Sequence, residues 1–157
     1  MSTSPRLEFF QDDLSGDEIR ALIALHLERM QSQSPPESVH AFPVDQLIAP
    51  DVTFWSAWLG DQLVGCGALK RLDADRGEIK SMRVADAYLG RGYGRAILDH
   101  LIREANRLGI KSLWLETGST PPFTPALLLY ASAGFERCPP FDGYVDDAFS
   151  IFMTREL

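Results

Sequence analysis

Apolar positions along the chain fall into short runs of two different periods. Leu7 to Phe10 suits a short strand. After Gly16-Asp17, Ile19, Leu22, Ile23, Leu27 and Met30 recur near helical spacing, which predicts a helix with one apolar face. Asp17 and Glu18 suit the positive N-terminal end of that helix, and Ser34-Pro35-Pro36 stops it. Pro35 to Pro50 reads as a loop with one helical turn near Leu47-Ile48. A loop this long is often a binding loop or lid, and it carries Glu37 and His40. Val52–Leu59 and Leu63–Leu72 flank Gly60-Asp61-Gln62 and predict an antiparallel hairpin. Gly65 and Gly67 leave the second of these strands little side-chain volume. Glu78 to Val84 (EIKSMRV) is a third strand whose alternation is poor.

From Gly92 the period becomes helical, with Ile97, Leu98, Leu101, Ile102, Ala105 and Leu108 on one face and Gly109 as the stop. Ser112 to Glu116 is a short apolar strand. Pro125 suits the first turn of another helix, which runs through Ala126 to Ala133 and stops at Gly134. Phe149 to Thr154 closes the chain as a strand. This order predicts one α/β domain over residues 1–157, a mixed sheet with helices on its faces.

Composition narrows the function classes. The chain has 157 residues, of which 45% are apolar and 24% charged, enough for one real core. Its net charge of -7 argues against a nucleic-acid partner, since phosphate binding needs a basic surface. No apolar run reaches the ~18 residues of a membrane helix, and Met1 to Pro5 lacks a signal-peptide core. Cys66 and Cys138 have no metal-type spacing and fit a reducing cytoplasm. His26, His40 and His100 pair with no Cys or carboxylate at metal-ligand spacing, so no metal is expected.

The informative segment is EIKSMRV, a short connection, then Leu89-Gly90-Arg91-Gly92-Tyr93-Gly94-Arg95 and a helix. Glycines at a strand-to-helix passage let the backbone turn tightly and let a ligand approach its amides. The first N–H groups of a helix have no internal partner, and with the helix dipole they form an anion site suited to a pyrophosphate. The nucleotide P-loop G-x-x-x-x-G-K-[ST] is absent. The dinucleotide fingerprint G-x-G-x-x-G fails because Arg95 stands at its third glycine. An R-G-x-G start to a helix remains, and a glycine-rich turn without a ligand is the competing reading.

Leu89 to Gly94 resembles the pyrophosphate loop of the GNAT N-acetyltransferases, [QR]-x-x-G-x-[GA]. Gly92 and Gly94 match, while Leu89 replaces the usual Gln or Arg. Downstream, Ala126 to Phe135 resembles the family's A-x-x-L-Y-x-x-x-G-F segment, with Phe123 where Asn is frequent. The runs SPPESVHAF, GCGAL, LETGS and CPPFDGY are similar to a bacterial subgroup of acetyltransferases. The resemblance implies the GNAT fold, a single mixed, mostly antiparallel sheet with helices on both faces. It implies acetyl-CoA as co-substrate, bound at Leu89 to Arg95 and along Met82, Arg83 and Val84, with Phe123 and Tyr130 beside it. It implies a primary amine of a small molecule or peptide as acceptor, attacking directly in a ternary complex. Many relatives are homodimers, which leaves a homodimer open. The alternative is a non-catalytic acyl-CoA-binding sensor of the same fold.

Three residues are candidates for proton transfer. Tyr130, by resemblance, protonates the departing thiolate; otherwise it is a core aromatic. Glu78 lies 16 residues before Gly94, a spacing at which some GNAT enzymes place a catalytic glutamate. It also shares a strand face with Lys80, and a paired carboxylate is a poorer base. Glu116, at the end of the next strand, is the second candidate base. His100 reads as ordinary, and His26 as a partly buried histidine whose ring is satisfied. Of the aromatics, Trp55, Trp58 and Phe149 read as core and Phe141 and Tyr144 as pocket candidates. Asp142, Asp146 and Asp147 read as a solvated acidic loop.

Overall fold

The computed structural model describes residues 6–35 and 43–157. Its described elements are β1 (Leu7–Gln11), α1 (Asp17–Gln33), α2 (Val44–Leu47), β2 (Val52–Leu59), β3 (Gln62–Arg71), β4 (Arg76–Val84), α3 (Tyr93–Arg107), β5 (Ser112–Gly118), α4 (Thr124–Ser132), β6 (Glu136–Cys138) and β7 (Ser150–Glu156). The strands form one seven-stranded sheet in the order β1-β2-β3-β4-β5-β7-β6. Among the described residues every pairing is antiparallel except β4 with β5. None of the described helices is long and apolar enough to cross a membrane.

Alternation along the strands divides the core between the two faces. One face carries Trp55, Ala57, Leu69, Ile79, Leu113 and Leu115 under α3. Ile97, Leu98, Leu101, Ile102 and Ala105 of α3 pack onto it, as their spacing predicts. The other face carries Phe54, Cys66 and Ala68 under Ile19, Leu22 and Ile23 of α1. The glycines of β3 decide how close α3 sits. A Cβ on Gly67 would lie 2.9 Å from a Leu101 methyl carbon. One on Gly65 would lie 2.5 Å from the Arg83 carbonyl oxygen and 2.7 Å from an Ile97 methyl carbon.

The weak alternation of EIKSMRV has a physical cause. Cys66 opposes Arg83 and Ala68 opposes Lys80, so β4 carries one more residue than β3 between these pairs. Ser81 takes a φ of 51° there, and the Cys66 thiol donates to its carbonyl oxygen at 3.2 Å. The bulge moves Arg83, an odd-numbered position, onto the face shared by Glu78 and Lys80. Beyond it, β4 also leaves β5. Their parallel pairing runs only from Arg76↔Ser112 to Glu78↔Trp114, although both strands continue. The sheet therefore forks, and each strand past the fork keeps only its outer neighbour, β3 or β7.

Several sequence expectations need correction. β6 was not anticipated; three residues are too few for a periodic signal. Phe149 lies before β7 rather than in it and is 41% exposed, so it is not core. β5 runs two residues past Glu116, which places that carboxylate inside the strand. Glu37 and His40 lie outside the described residues.

Gly65→Ala should destabilise the protein by about 3 kcal/mol, because the methyl group meets backbone that cannot rotate away. Urea titration would measure this. A loss below about 1 kcal/mol would mean that β4 yields freely at this point.

Candidate active site

A cavity of about 180 Å³ occupies the fork. β4 contributes Glu78 to Arg83, β5 contributes Glu116 to Gly118, α1 contributes His26, Met30 and Gln33, and α4 contributes Ala126 and Tyr130. Phe123 and Tyr144 complete the wall. Phe123 reaches it because Gly118 lacks a side chain: a Cβ there would sit 2.3 Å from the Phe123 ring. Seven residues expected from the sequence to serve the site thus meet in one place: Glu78, Met82, Arg83, Glu116, Phe123, Tyr130 and Tyr144.

Glu78 is 2% exposed and does not act alone. Its carboxylate accepts a hydrogen bond from the Tyr144 hydroxyl at 2.6 Å and lies 3.2 Å from Lys80 Nζ. Lys80 Nζ donates to the Tyr144 hydroxyl oxygen at 2.7 Å. Burial lowers the Lys80 pKa, while Glu78 and Glu116 act to raise it. Burial and the Glu78 charge raise that of Tyr144. A buried ion pair bridged by a neutral hydroxyl meets the requirement that buried charges be paired and hydrogen-bonded. Of the two readings of Glu78, the structural pair is present, with a third member that sequence spacing to Lys80 does not give.

Tyr144 carried its own sequence signal. Asp142-Gly143 is a turn dipeptide, and both residues take positive φ (48° and 85°). Tyr144 N–H donates to the Phe141 carbonyl at 2.9 Å to close that turn, which delivers the tyrosine to the fork. Phe141, the other expected pocket aromatic, instead packs on Trp114, Tyr144 and Phe152 and does not line the cavity.

Glu116 contrasts with Glu78. It lines the cavity half-buried and makes no hydrogen bond or ion pair among the described residues. Burial pushes its pKa up to about 8; Lys80 opposes the shift, and Glu78 and Asp147 add to it. Tyr130 is 8% exposed, and its hydroxyl has no hydrogen-bond partner among the described residues. Burial, with the Glu116 charge, pushes it up to about 12, so it stays protonated. A carboxyl titrating near neutrality and an unengaged phenol in one cavity form an acid–base set.

His26 corrects a sequence expectation. Its Nδ1 is buried and has no hydrogen-bond partner among the described residues. Burial, and then the Arg83 charge, lowers its pKa to about 4, which leaves it neutral. His100 lies far from this chemistry in function: it stacks on Phe9 with ring centroids 4.1 Å apart and meets Trp55 edge-on.

The glycine loop lies outside the cavity wall. Gly90 and Gly92 both take positive φ (73° and 84°), conformations that favour glycine. Gly92 is the N-cap of α3, with no side chain capping the helix. The first helical bond runs from Ala96 N–H to the Gly92 carbonyl, so the amides of Tyr93, Gly94 and Arg95 precede the ladder. Gly94 adjoins the cavity strand: a Cβ there would lie 3.8 Å from a Val84 methyl carbon. Leu89 is 58% exposed, Arg91 stands over the Tyr88 ring, and Arg95 is taken up by Asp99 and Ser132. The amides thus remain for an anion while the side chains are placed elsewhere. Among the described residues no group of three or more His, Cys, Asp or Glu could hold a metal ion.

Comparison with known proteins identifies the family and the fold. The profile of the acetyltransferase (GNAT) family matches residues 19–135. The chain is 50% identical over 146 residues to the N-acetyltransferase YsnE of Bacillus subtilis (strain 168), covering 93% of this chain and 97% of that protein. It is 47% identical over 146 residues to the N-acetyltransferase YedL of Escherichia coli (strain K12), covering 93% and 92%. The crystal structure of a Bacillus subtilis acetyltransferase in complex with CoA superposes with a TM-score of 0.74 at 20% identity, covering 97% and 99% of the two chains.

Tyr144→Phe should cost about 2 kcal/mol of stability, because the change removes a hydroxyl bonded to two buried charged groups. Thermal denaturation at pH 7 would measure it. An unchanged melting temperature would mean that Glu78 and Lys80 hold each other without the bridge.

Proposed function

The chain belongs to the acetyltransferase (GNAT) family, an acyl-CoA-dependent group of N-acetyltransferases, and on that premise we propose that it acetylates a primary amine by direct attack in a ternary complex with acetyl-CoA. The observation that carries this reading is the cavity at the fork, where the unpaired Glu116 and the unengaged Tyr130 hydroxyl line one space.

The free amides at the start of α3 fit the coenzyme pyrophosphate, and the left-handed Gly92 lets it approach. Met82 and Val84 carry backbone groups along the β4 edge of the fork, where no ladder to β5 uses them. The thioester belongs at this edge, with a β4 amide near Met82 stabilising the carbonyl oxygen as it gains charge. Glu116 takes the proton of the acceptor ammonium. The amine lone pair forms the new C–N bond as the C–S bond breaks, Tyr130 supplies the proton that the departing thiolate needs, and the proton that the nitrogen sheds on becoming an amide restores the Tyr130 phenol. Glu78 has a supporting part: held by Tyr144 and Lys80, it is a positioning residue whose charge helps keep the Glu116 pKa high. The free thiols of Cys66 and Cys138 support a reducing compartment such as the cytoplasm.

A base works only when deprotonated, and the folded-state pKa of Glu116 is raised to about 8. The rate should therefore climb with pH and level off above about 8, falling about tenfold per pH unit on the acid side. Glu116→Gln should lower kcat about 100-fold and erase that titration. Tyr130→Phe should lower kcat about tenfold or more with little change in acetyl-CoA affinity. Thiol release from acetyl-CoA with a panel of amines measures all three. Full activity in Glu116→Gln would remove it from the role of base.

A further inference from the structure

The charged groups around the cavity do not balance locally. Glu78 and Lys80 neutralise each other through Tyr144. Glu116 stands alone at one side. Arg83 stands alone at another, its half-buried side chain in the cavity wall with no hydrogen bond or ion pair among the described residues. The carboxylate nearest in charge to it, Asp86, is already engaged: Arg29 donates to both of its oxygens, at 2.6 Å each. Arg29 itself adds a second positive charge beside Arg83. A half-buried guanidinium that pairs with no carboxylate among the described residues, next to another arginine, suits an external anion.

The location separates this guanidinium from the coenzyme. The β4 bulge places Arg83 on the α1 face of the sheet, and its charge acts on His26 of α1. Tyr130 belongs with the core on the opposite, α3 face, as does Val84 beside Gly94. The side chain of Arg83 thus looks away from the strand face that leads to the pyrophosphate loop. His26 lines the same cavity, with its Nδ1 buried and without a hydrogen-bond partner among the described residues. Its neutral ring carries one N–H, and in the Nδ1–H tautomer it offers an anion a second donor beside the guanidinium.

We propose that the acceptor is an amine that also carries a carboxylate, with Arg83 binding that carboxylate, His26 assisting, and the amine directed to Glu116. Arg83 is then a specificity-determining residue. The inference rests on the acetyl-transfer reading above and names its substrate class. An amino acid brings one positive and one negative end, which complements the separated Glu116 and Arg83. A simple amine, an amide or a polyamine leaves Arg83 buried without a counter-charge, and sites built to bind a polar group discriminate against analogues lacking it.

The test is acetyl transfer to a panel of α- and ω-amino acids, each paired with its amide and its decarboxylated amine. The best acids should exceed their partners by on the order of 100-fold in kcat/KM. Arg83→Met should raise KM for those acids by about 10–100-fold and bring acid and amide to within a few-fold of each other. The Kd of acetyl-CoA should not move, because the coenzyme meets β4 through its backbone. Arg83→Lys should restore part of the preference, as a point charge without the bidentate fork. Amides or simple amines acetylated as well as acids would overturn the inference and leave the acetyl-transfer reading standing. So would an Arg83→Met protein that binds acetyl-CoA more weakly and keeps its acid preference. Failure to acetylate any member of the panel, with acetyl-CoA tightly bound, would instead strike at the acetyl-transfer reading, and the inference would fall with it.

Discussion

Everything at the site follows from the parting of β4 and β5. Two neighbouring parallel strands that stop sharing hydrogen bonds after Glu78 and Trp114 leave a wedge in the middle of a sheet. Such a wedge is costly unless its polar edges find partners. The fold fills its closed end with the Glu78–Tyr144–Lys80 cluster and leaves the open end as the cavity. The cluster thus pins a loop from before β7 to a strand on the far side of the gap. It also sets the electrostatics of the opening, because two of its members act on Glu116.

The β4 bulge is the second device, and it acts on the same strand. A regular strand would send Arg83 to the α3 face with Ile79. With one inserted residue, Glu78, Lys80 and Arg83 share the α1 face while Met82 and Val84 join the α3 core. The small β3 residues opposite make this possible. Gly65 lets the Arg83 carbonyl come close, and Cys66 bonds the carbonyl of Ser81. A strand written GCG is therefore less a weak strand than a mould for its irregular neighbour.

Much of this was legible in the sequence. The helical periods of α1 and α3, the hairpin around Gly60-Asp61, and the glycine loop with its left-handed turns all rest on local rules, and local rules are readable from a chain. The resemblance to GNAT enzymes supplied a mostly antiparallel sheet and set Tyr130 beside the same coenzyme as Met82 to Val84, which periodicity could not. What stayed hidden was long-range and specific. Tyr144 lies 66 residues from Glu78, and nothing in the spacing between them marks a hydrogen bond. The state of His26 Nδ1, without a hydrogen-bond partner among the described residues, depends on what α1 faces, and the residue's position beside an apolar stripe suggested a satisfied ring. The weak alternation of EIKSMRV was visible, yet a bulge and a misassigned strand look alike until the partner strand is known.

The two glutamates illustrate why environment, rather than residue type, assigns roles. Both lie on central strands and both border one cavity. Glu78 is the more deeply buried, and a lysine and a tyrosine hold its carboxylate. Glu116 makes no hydrogen bond or ion pair among the described residues, and burial, opposed by Lys80 and aided by Glu78 and Asp147, holds its proton to near pH 8. A carboxylate already engaged by a lysine and a tyrosine is poorly placed to take a proton from an acceptor. One held on the edge of ionisation can take a proton and return it within a cycle. The paired cluster acts on the unpaired glutamate in both senses, Lys80 lowering its pKa and Glu78 raising it, and burial decides the outcome.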